Sequence, residues 1–216
     1  MKKIKEHSLY LLLTEEYCCG RNVVEIARHA IAGGVDLIQL REKNNLRSDI
    51  ADIARSLAAL CKKNKVTFII NDDPILAKTV DADGVHLGQG DLKLFTVKEA
   101  RKILGARKLI GLSMSSVKDI ANANNKDIDY IGFGPVFPTA IKEGCVGTKC
   151  VAKVLASSKT PVFFIGGINF NNVDKLLAKG AKNIAVIRAI SEADDIKAAA
   201  KNFKEKLKKA KHGKTA

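Results

Sequence analysis

Residues 65–91 read KVTFIINDDPILAKTVDADGVHLGQGD, and this stretch decides the fold. Val66–Ile70 is a short, mostly apolar run rich in β-branched residues, as expected of a strand covered on both faces. It stops at Asn71-Asp72-Asp73. The interval Asp73–Asp83 leaves room for only a short helix before a second run, Gly84–Leu87, which stops at Gly88-Gln89-Gly90-Asp91. Strand, brief crossover and strand, each strand ending in polar residues, is the unit from which parallel α/β folds are built.

The same alternation extends in both directions. Further apolar runs occur at Leu9–Leu13, Leu37–Leu40, Leu109–Leu112, Tyr130–Phe133, Val162–Ile165 and Ile184–Ile187. Between them, apolar residues fall at helical spacing, as in Val23-Val24, Ala27, Ala30-Ile31 and again in Ile50, Ile53-Ala54, Leu57, Leu60-Cys61. Asn22 suits the cap of the first helix and Gly33-Gly34 its end. Thr96 opens a helix that Gly105 closes, and Asn171 or Asn172 starts one that finishes at Gly180.

Eight strands with seven linking segments and a final helix predict a single (β/α)8 TIM barrel over residues 1–216, with a basic C-terminal helix and tail from about residue 197. An open doubly wound sheet fits less well. Thr14 is followed by Glu-Glu-Tyr-Cys-Cys-Gly rather than by the G-x-G-x-x-G turn of that fold. No linker divides the chain, and no internal sequence repeat is evident.

Composition narrows the function. No apolar run approaches the roughly 18 residues of a membrane span, and Leu9–Leu13 is too short for a signal-peptide core. Five cysteines in no C-x-x-C pairing argue for reduced thiols and a cytoplasmic setting. The net charge of +14 invites a nucleic-acid partner, but half of it comes from eight lysines and one glutamate in Lys197–Ala216. That segment has no arginine and one aromatic, Phe203, so it lacks the stacking groups of single-strand binders. No nucleic acid and no membrane are expected as partners; homo-oligomerisation is left open.

In a parallel barrel the site lies where strands end at their carboxyl edge. Polar groups follow each run there. Gln39-Leu40-Arg41-Glu42-Lys43 follows the second, Asn71-Asp72 the third and Gln89 and Asp91 the fourth; Ser113 ends the fifth, and Gly134–Thr139 with Lys142 follows the sixth. Arg41, Lys43 and Lys142 suit phosphoryl oxygens. Asp72 and Asp91 suit a shared Mg2+, which takes one or two carboxylates plus substrate phosphate oxygens. Asn71 can orient either the metal or a phosphate. Gly166-Gly167 after the seventh strand and Arg188-Ala189 after the eighth occupy the usual phosphate position of such barrels. Two anion sites on one rim suggest two phosphorylated substrates being joined. His86 reads equally as a core residue or an acid/base group, and Gln89 as a reader of a polar heterocycle or a loop stabiliser. Cys145 and Cys150 have no matching histidine to activate them.

The ordered set Q-L-R-E-K (39–43), I-I-N-D-D (69–73), D-G-V-H-L-G-Q-G-D (83–91), I-G-L-S (110–113), G-P-V-F-P-T (134–139) with Lys142, G-G-I (166–168) and A-V-I-R-A-I (185–190) resembles the thiamine phosphate synthase (thiamine-phosphate pyrophosphorylase) family, a relative of thiazole tautomerase. The resemblance implies a magnesium-dependent transferase joining hydroxymethylpyrimidine pyrophosphate to hydroxyethylthiazole phosphate, with pyrophosphate leaving first. It implies catalytic roles for Arg41, Lys43, Asn71, Ser113 and Lys142 and metal ligation by Asp72 and Asp91. Substrate contacts are implied at Gln39, Gln89, Thr139, Gly166, Gly167, Ile187 and Arg188. Three positions depart from the family pattern: Ile141 stands for a threonine, Arg188 for a serine on the thiazole phosphate, and Ser115 for a frequent histidine. Ser115 also occupies the position of the tautomerase's catalytic histidine, which counts against a tautomerase. A non-catalytic phosphate-ligand barrel is the alternative of another class.

Overall fold

Leu9–Leu13 forms β1 with every residue buried, because alternate side chains enter two different interiors. Leu9, Leu11 and Leu13 join the large cluster shared with the helices. Tyr10 and Leu12 join a smaller cluster with Leu37, Ile69, Leu109, Tyr130, Phe163 and Ala185. A strand sandwiched in this way reads as a continuous apolar run. The computed structural model describes residues 3–42, 47–88, 94–124, 126–139, 144–211 and 213. The remaining strands are β2 (Leu37–Leu40), β3 (Thr67–Asn71), β4 (Gly84–Leu87), β5 (Leu109–Met114), β6 (Tyr130–Phe133), β7 (Val162–Phe164) and β8 (Asn183–Val186). Each pairs in parallel with the next, and β8 returns to β1, closing the barrel.

Strand ends differ slightly from the sequence expectation, for local reasons. Val66 drops out of β3 because its N–H bonds back to Cys61 O across the preceding turn. β5 runs past Ser113 because Met114 still pairs with Phe133. β8 stops before Ile187, whose backbone turns into a short helix that begins at Arg188.

The helices are α1 (Val23–Ala32), α2 (Arg47–Lys63), α3 (Pro74–Thr79), α4 (Val97–Leu104), α5 (Val117–Ala123), α6 (Val151–Ser157), α7 (Val173–Leu177), α8 (Arg188–Ser191) and α9 (Ile196–Lys211). Asn22 caps α1 by accepting from Val24 N and Glu25 N. Thr96 and Glu99 form a reciprocal capping box on α4, which ends at Gly105. Asn172 sits at the start of α7 without capping it. Its amide nitrogen donates to Gly167 O, and its oxygen accepts from Asn169 N. On α9, Ile196, Ala200, Phe203 and Leu207 face inward at helical spacing. Gly33 brings α1 against this helix: a Cβ there would stand 2.5 Å from Lys197 O and 2.6 Å from Ala200 Cβ. Lys204 of α9 bridges to Asp36 just before β2. The segment thus buries one stripe and exposes Lys197, Lys201, Lys208, Lys209 and Lys211, while Lys204 and Lys206 are half-buried in ion pairs. Among the described residues, no helix is long and apolar enough to cross a membrane.

Asp36 has a second partner, and with it a pattern repeats. Asp36, Asp83 and Asp129 immediately precede β2, β4 and β6, and accept the N–H of Leu9, Phe68 and Ile110 at 2.8, 2.9 and 2.8 Å. Each carboxylate satisfies an amide at the start of the preceding strand. The surrounding residues, V-D-L-I-Q-L (35–40), A-D-G-V-H-L (82–87) and I-D-Y-I-G-F (128–133), share only the aspartate but form a short structural repeat. The motif is only six residues long and nearly every position in it varies.

Candidate active site

The inward face of the repeat builds the site. Leu37 and Gln39 of β2 occupy the same repeat positions as Gly84 and His86 of β4, and as Tyr130 and Gly132 of β6. Register carries this face around the barrel: Leu12 lies beside Gln39, Asn71 beside His86, His86 beside Gly111, and Ser113 beside Gly132. The floor is aromatic. Tyr10, Tyr130 and Phe163 pack edge to face, with centroids 5.1 to 6.0 Å apart.

Above this floor opens a cavity of about 520 Å³, within the usual range for small-molecule sites. Gln39, Arg41, Asn71, Ser113, Thr139, Gly166, Gly167, Ile187 and Arg188 all line it. These are the nine non-metal site residues expected from sequence that the structure describes. Lys43, Gln89, Asp91 and Lys142, together with the divergent Ile141, lie outside the described residues.

Asp72 sits just beyond β3 in the left-handed region, at φ 59°, which aspartate tolerates better than most residues. Its N–H donates to His86 O at 2.8 Å, and its Oδ1 accepts from Gly88 N at 2.7 Å. Asn71 donates its side-chain amide to Oδ2. The carboxylate is therefore anchored to the end of β4, from which the chain continues toward Asp91. Neighbouring Asp73 has another job: it caps α3, accepting from Leu76 N at 2.8 Å. The donors gathered here are hard oxygens, which fit magnesium rather than a soft-metal site. Among the described residues no three His, Cys, Asp or Glu side chains converge on one point.

On the opposite side, Gly166 and Gly167 adopt φ of 98° and 64°. Their lack of a Cβ has a structural cause. A methyl at Gly166 would lie 2.4 Å from Pro135, and one at Gly167 2.4 Å from Pro138 O. The turn is pressed against the loop after β6, where Val136 N and Phe137 N donate to Ile165 O and Gly166 O. The glycines permit this close packing and line the cavity with backbone.

Arg188 reaches this side from the first residue of α8. Its Nε donates to Glu192 Oε1 at 2.7 Å, and its guanidinium lies over the Tyr17 ring, 5.7 Å from the centroid. The hydrogen bond and charge of Glu192 raise the arginine's pKa further. Sequence reading missed Glu192, because an i,i+4 partner is visible only once residues 188–191 are known to be helical.

Sequence reading also left His86 open and missed Tyr10, Tyr130 and Phe163. His86 is 8% exposed, and its Nδ1 and Nε2 meet Tyr130 Oη at 3.2 Å and Ser113 Oγ at 2.9 Å. Burial pulls its pKa down to about 4, so near neutral pH the ring is an uncharged hydrogen-bonding group. Its place in the V-D-L-I-Q-L repeat, equivalent to Gln39, is the signal that marks it as inward.

A closed parallel barrel with an aromatic-floored cavity at its carboxyl edge, Arg41, Asn71 and Ser113 on one side of the rim and a glycine turn with Arg188 on the other, has the build of a barrel enzyme acting on small phosphorylated molecules. Comparison with known proteins is more specific. A family model described as thiamine monophosphate synthase matches residues 9–190, and the chain belongs to that family. It is 43% identical to the thiamine-phosphate synthase of Persephonella marina over 192 residues, covering 88% of this chain and 90% of that protein. It is 40% identical to the thiamine-phosphate synthase of Halalkalibacterium halodurans over 203 residues, 93% and 95% of the two chains. Among solved structures, the thiamine phosphate pyrophosphorylase from Pyrococcus furiosus superposes with a TM-score of 0.86 at 32% identity, covering 94% of this chain and 96% of that one.

Proposed function

We propose that this chain is a thiamine-phosphate synthase, a transferase that joins hydroxymethylpyrimidine pyrophosphate to hydroxyethylthiazole phosphate and releases pyrophosphate. One observation carries the reading beyond family membership: a single cavity has Arg41, Asn71 and Ser113 on one side, Gly166, Gly167 and Arg188 on the other, and an aromatic floor. Two phosphorylated substrates require two anion-binding sides, and their rings require an apolar space between them.

The bond between the pyrimidine methylene carbon and the pyrophosphate oxygen breaks first, and pyrophosphate leaves with the electron pair. The thiazole nitrogen then gives its lone pair to the methylene cation. Arg41, Lys43, Lys142 and the Ser113 hydroxyl hold the departing oxygens, whose charge grows as the bond breaks. Asn71 fixes the Asp72 carboxylate. Asp72 and Asp91 would hold magnesium, which when bound neutralises pyrophosphate charge. The aromatic floor with Gln39 and Gln89 keeps the pyrimidine beside the thiazole, so that capture of the cation is a proximity effect needing no protein nucleophile. Thr139, Gly166, Gly167, Ile187 and Arg188 seat the thiazole phosphate. A cytoplasmic setting suits five free thiols.

The test is direct. Purified protein with magnesium and both precursors is expected to yield thiamine phosphate, while a parallel thiazole tautomerase assay stays at background. Folded protein that binds both precursors without turnover overturns the synthase reading. Tautomerase turnover alone replaces it.

Arg188 carries a prediction of its own. It replaces the serine common in the family with a charge, but that charge is already shared with Glu192. Arg188→Ser is expected to raise the KM for thiazole phosphate about tenfold, the worth of one charge-assisted hydrogen bond. Glu192→Gln, which frees the guanidinium, is expected to lower it. Steady-state kinetics with the thiazole varied decide; an unchanged or lower KM in Arg188→Ser removes the arginine from phosphate binding.

A further inference from the structure

We propose that Tyr10, Tyr130 and His86 are positioning residues that hold the Ser113 hydroxyl as a one-way donor toward substrate oxygen, through a hydrogen-bond chain crossing the barrel interior. The identity of that oxygen, on the departing pyrophosphate, rests on the synthase reading; the chain does not. Gln39 Nε2 donates to Tyr10 Oη at 2.5 Å, Tyr10 Oη lies 3.0 Å from Tyr130 Oη, and His86 continues the chain from Tyr130 to Ser113. Gln39, Tyr10 and Tyr130 are 0 to 2% exposed, so their donors and acceptors must be matched internally.

With the Gln39 amide nitrogen on Tyr10, counting protons gives the direction, and the tautomer of His86 is its test. Tyr10 accepts from Gln39, so its own proton has only Tyr130 to go to. Tyr130 has then been used as acceptor and donates to His86 Nδ1. The neutral ring carries its single proton on Nε2 and donates to Ser113 Oγ. The serine proton has no partner left in the chain and faces the cavity that Ser113 lines. At the far end, Gln39 Oε1 is buried with no hydrogen-bond partner, and Gln39 lines the same cavity. The chain therefore ends in an acceptor at Gln39 and a donor at Ser113. Running the donors the other way would need Tyr10 to donate to the Gln39 carbonyl, and would place the serine proton on His86, away from an anion.

The barrel makes room for this chain. A Cβ at Gly111 would lie 2.1 Å from Tyr130 Cζ and 2.5 Å from His86 Nδ1, and one at Gly132 would lie 3.0 Å from His86 Cε1. Two neighbouring strands thus give up side chains where the tyrosine meets the histidine.

Nitrogen-15 NMR of labelled imidazole in the full chain, without substrate, should find His86 in the Nε2–H tautomer. An Nδ1–H ring overturns the proposal. Tyr130→Phe keeps the aromatic packing and removes the hydroxyl; it should mix the two tautomers and lower kcat roughly tenfold, about the loss of one hydrogen bond to a charged group. In a Ser113→Ala background the same substitution should cost nothing further, because Tyr130 acts through Ser113. Losses that multiply in the double variant overturn the positioning role. If the parent shows no turnover, the synthase reading fails and the tautomer measurement alone decides the chain. Tyr10→Phe, which removes the relay one step earlier, serves if Tyr130→Phe does not fold, and must likewise shift the tautomer.

Discussion

Asp72→Asn is expected to cut turnover about a thousandfold while leaving the fold intact. The substitution suits this backbone, because asparagine, like aspartate, accepts the left-handed conformation that residue 72 adopts at φ 59°. Its carbonyl oxygen can keep the bond from Gly88 N, and Asn71 can turn its own amide to match the new NH2. What disappears is the charge. A carboxylate that helps to hold a divalent cation against pyrophosphate contributes more as the leaving group gains charge. Losing such a transition-state interaction costs about 4 kcal/mol, or roughly a thousandfold. Two measurements check this: turnover as a function of magnesium concentration, and thermal melting. The expected result is a large fall in kcat, a magnesium dependence moved to higher concentration, and a melting temperature within about 2 °C of the parent. A rate within twofold of the parent would remove Asp72 from the mechanism. Asp91→Asn should behave alike.

The contrast between Asp72 and Asp73 shows how far sequence could reach. Both follow the same strand, and composition alone cannot tell them apart. Proline at 74 and Leu76 two residues on make Asp73 a helix cap, a local relationship readable from the chain. Asp72 owes its orientation to Gly88, 16 residues away, and that contact exists only once β3 and β4 lie side by side. The barrel itself was readable for the opposite reason: strands buried on both faces announce themselves as continuous apolar runs. The same continuity hides which residues face inward. Tyr10 and Leu11 look alike in the sequence, yet one floors the cavity and the other packs under a helix. The aspartate before β2, β4 and β6 breaks this ambiguity. It fixes the phase of each strand, so that Gln39 and His86 fall on the same face. The rim residues needed no phase, since every strand's carboxyl end points the same way, and they could be read from position alone. Glu192 depended on a four-residue helix with no apolar stripe to reveal it.

The phase argument gives Gly111 a larger role than its size suggests. Gly111→Ala is expected to lower stability by about 3 kcal/mol or more and to abolish turnover. Its φ is not unusual, so strain in the backbone is not the cause. The added methyl would stand 2.1 Å from Tyr130 Cζ and 2.5 Å from both Tyr130 Cε2 and His86 Nδ1, distances that non-bonded atoms do not tolerate. Neither ring has room to retreat: Tyr130 is packed edge to face against Tyr10 and Phe163, and His86 is held at both nitrogens. Overpacking a rigid core costs about 1–3 kcal/mol and occasionally more, and here it also separates Tyr130 from His86, leaving buried polar atoms unpaired. For a chain of this length, about 3 kcal/mol corresponds to a melting temperature lowered by roughly 6–12 °C. Gly132→Ala is the matched control. Its methyl would lie 3.0 Å from His86 Cε1 and 3.4 Å from Nε2, so a shift of a few tenths of an ångström absorbs it, and a fall of only a few degrees is expected. Comparable melting curves for the two variants would mean that the interior between β4, β5 and β6 is more compliant than its contacts indicate. A clear ordering, with Gly111→Ala far below Gly132→Ala, would tie the stability of the barrel centre to the same histidine and tyrosine that lead to Ser113.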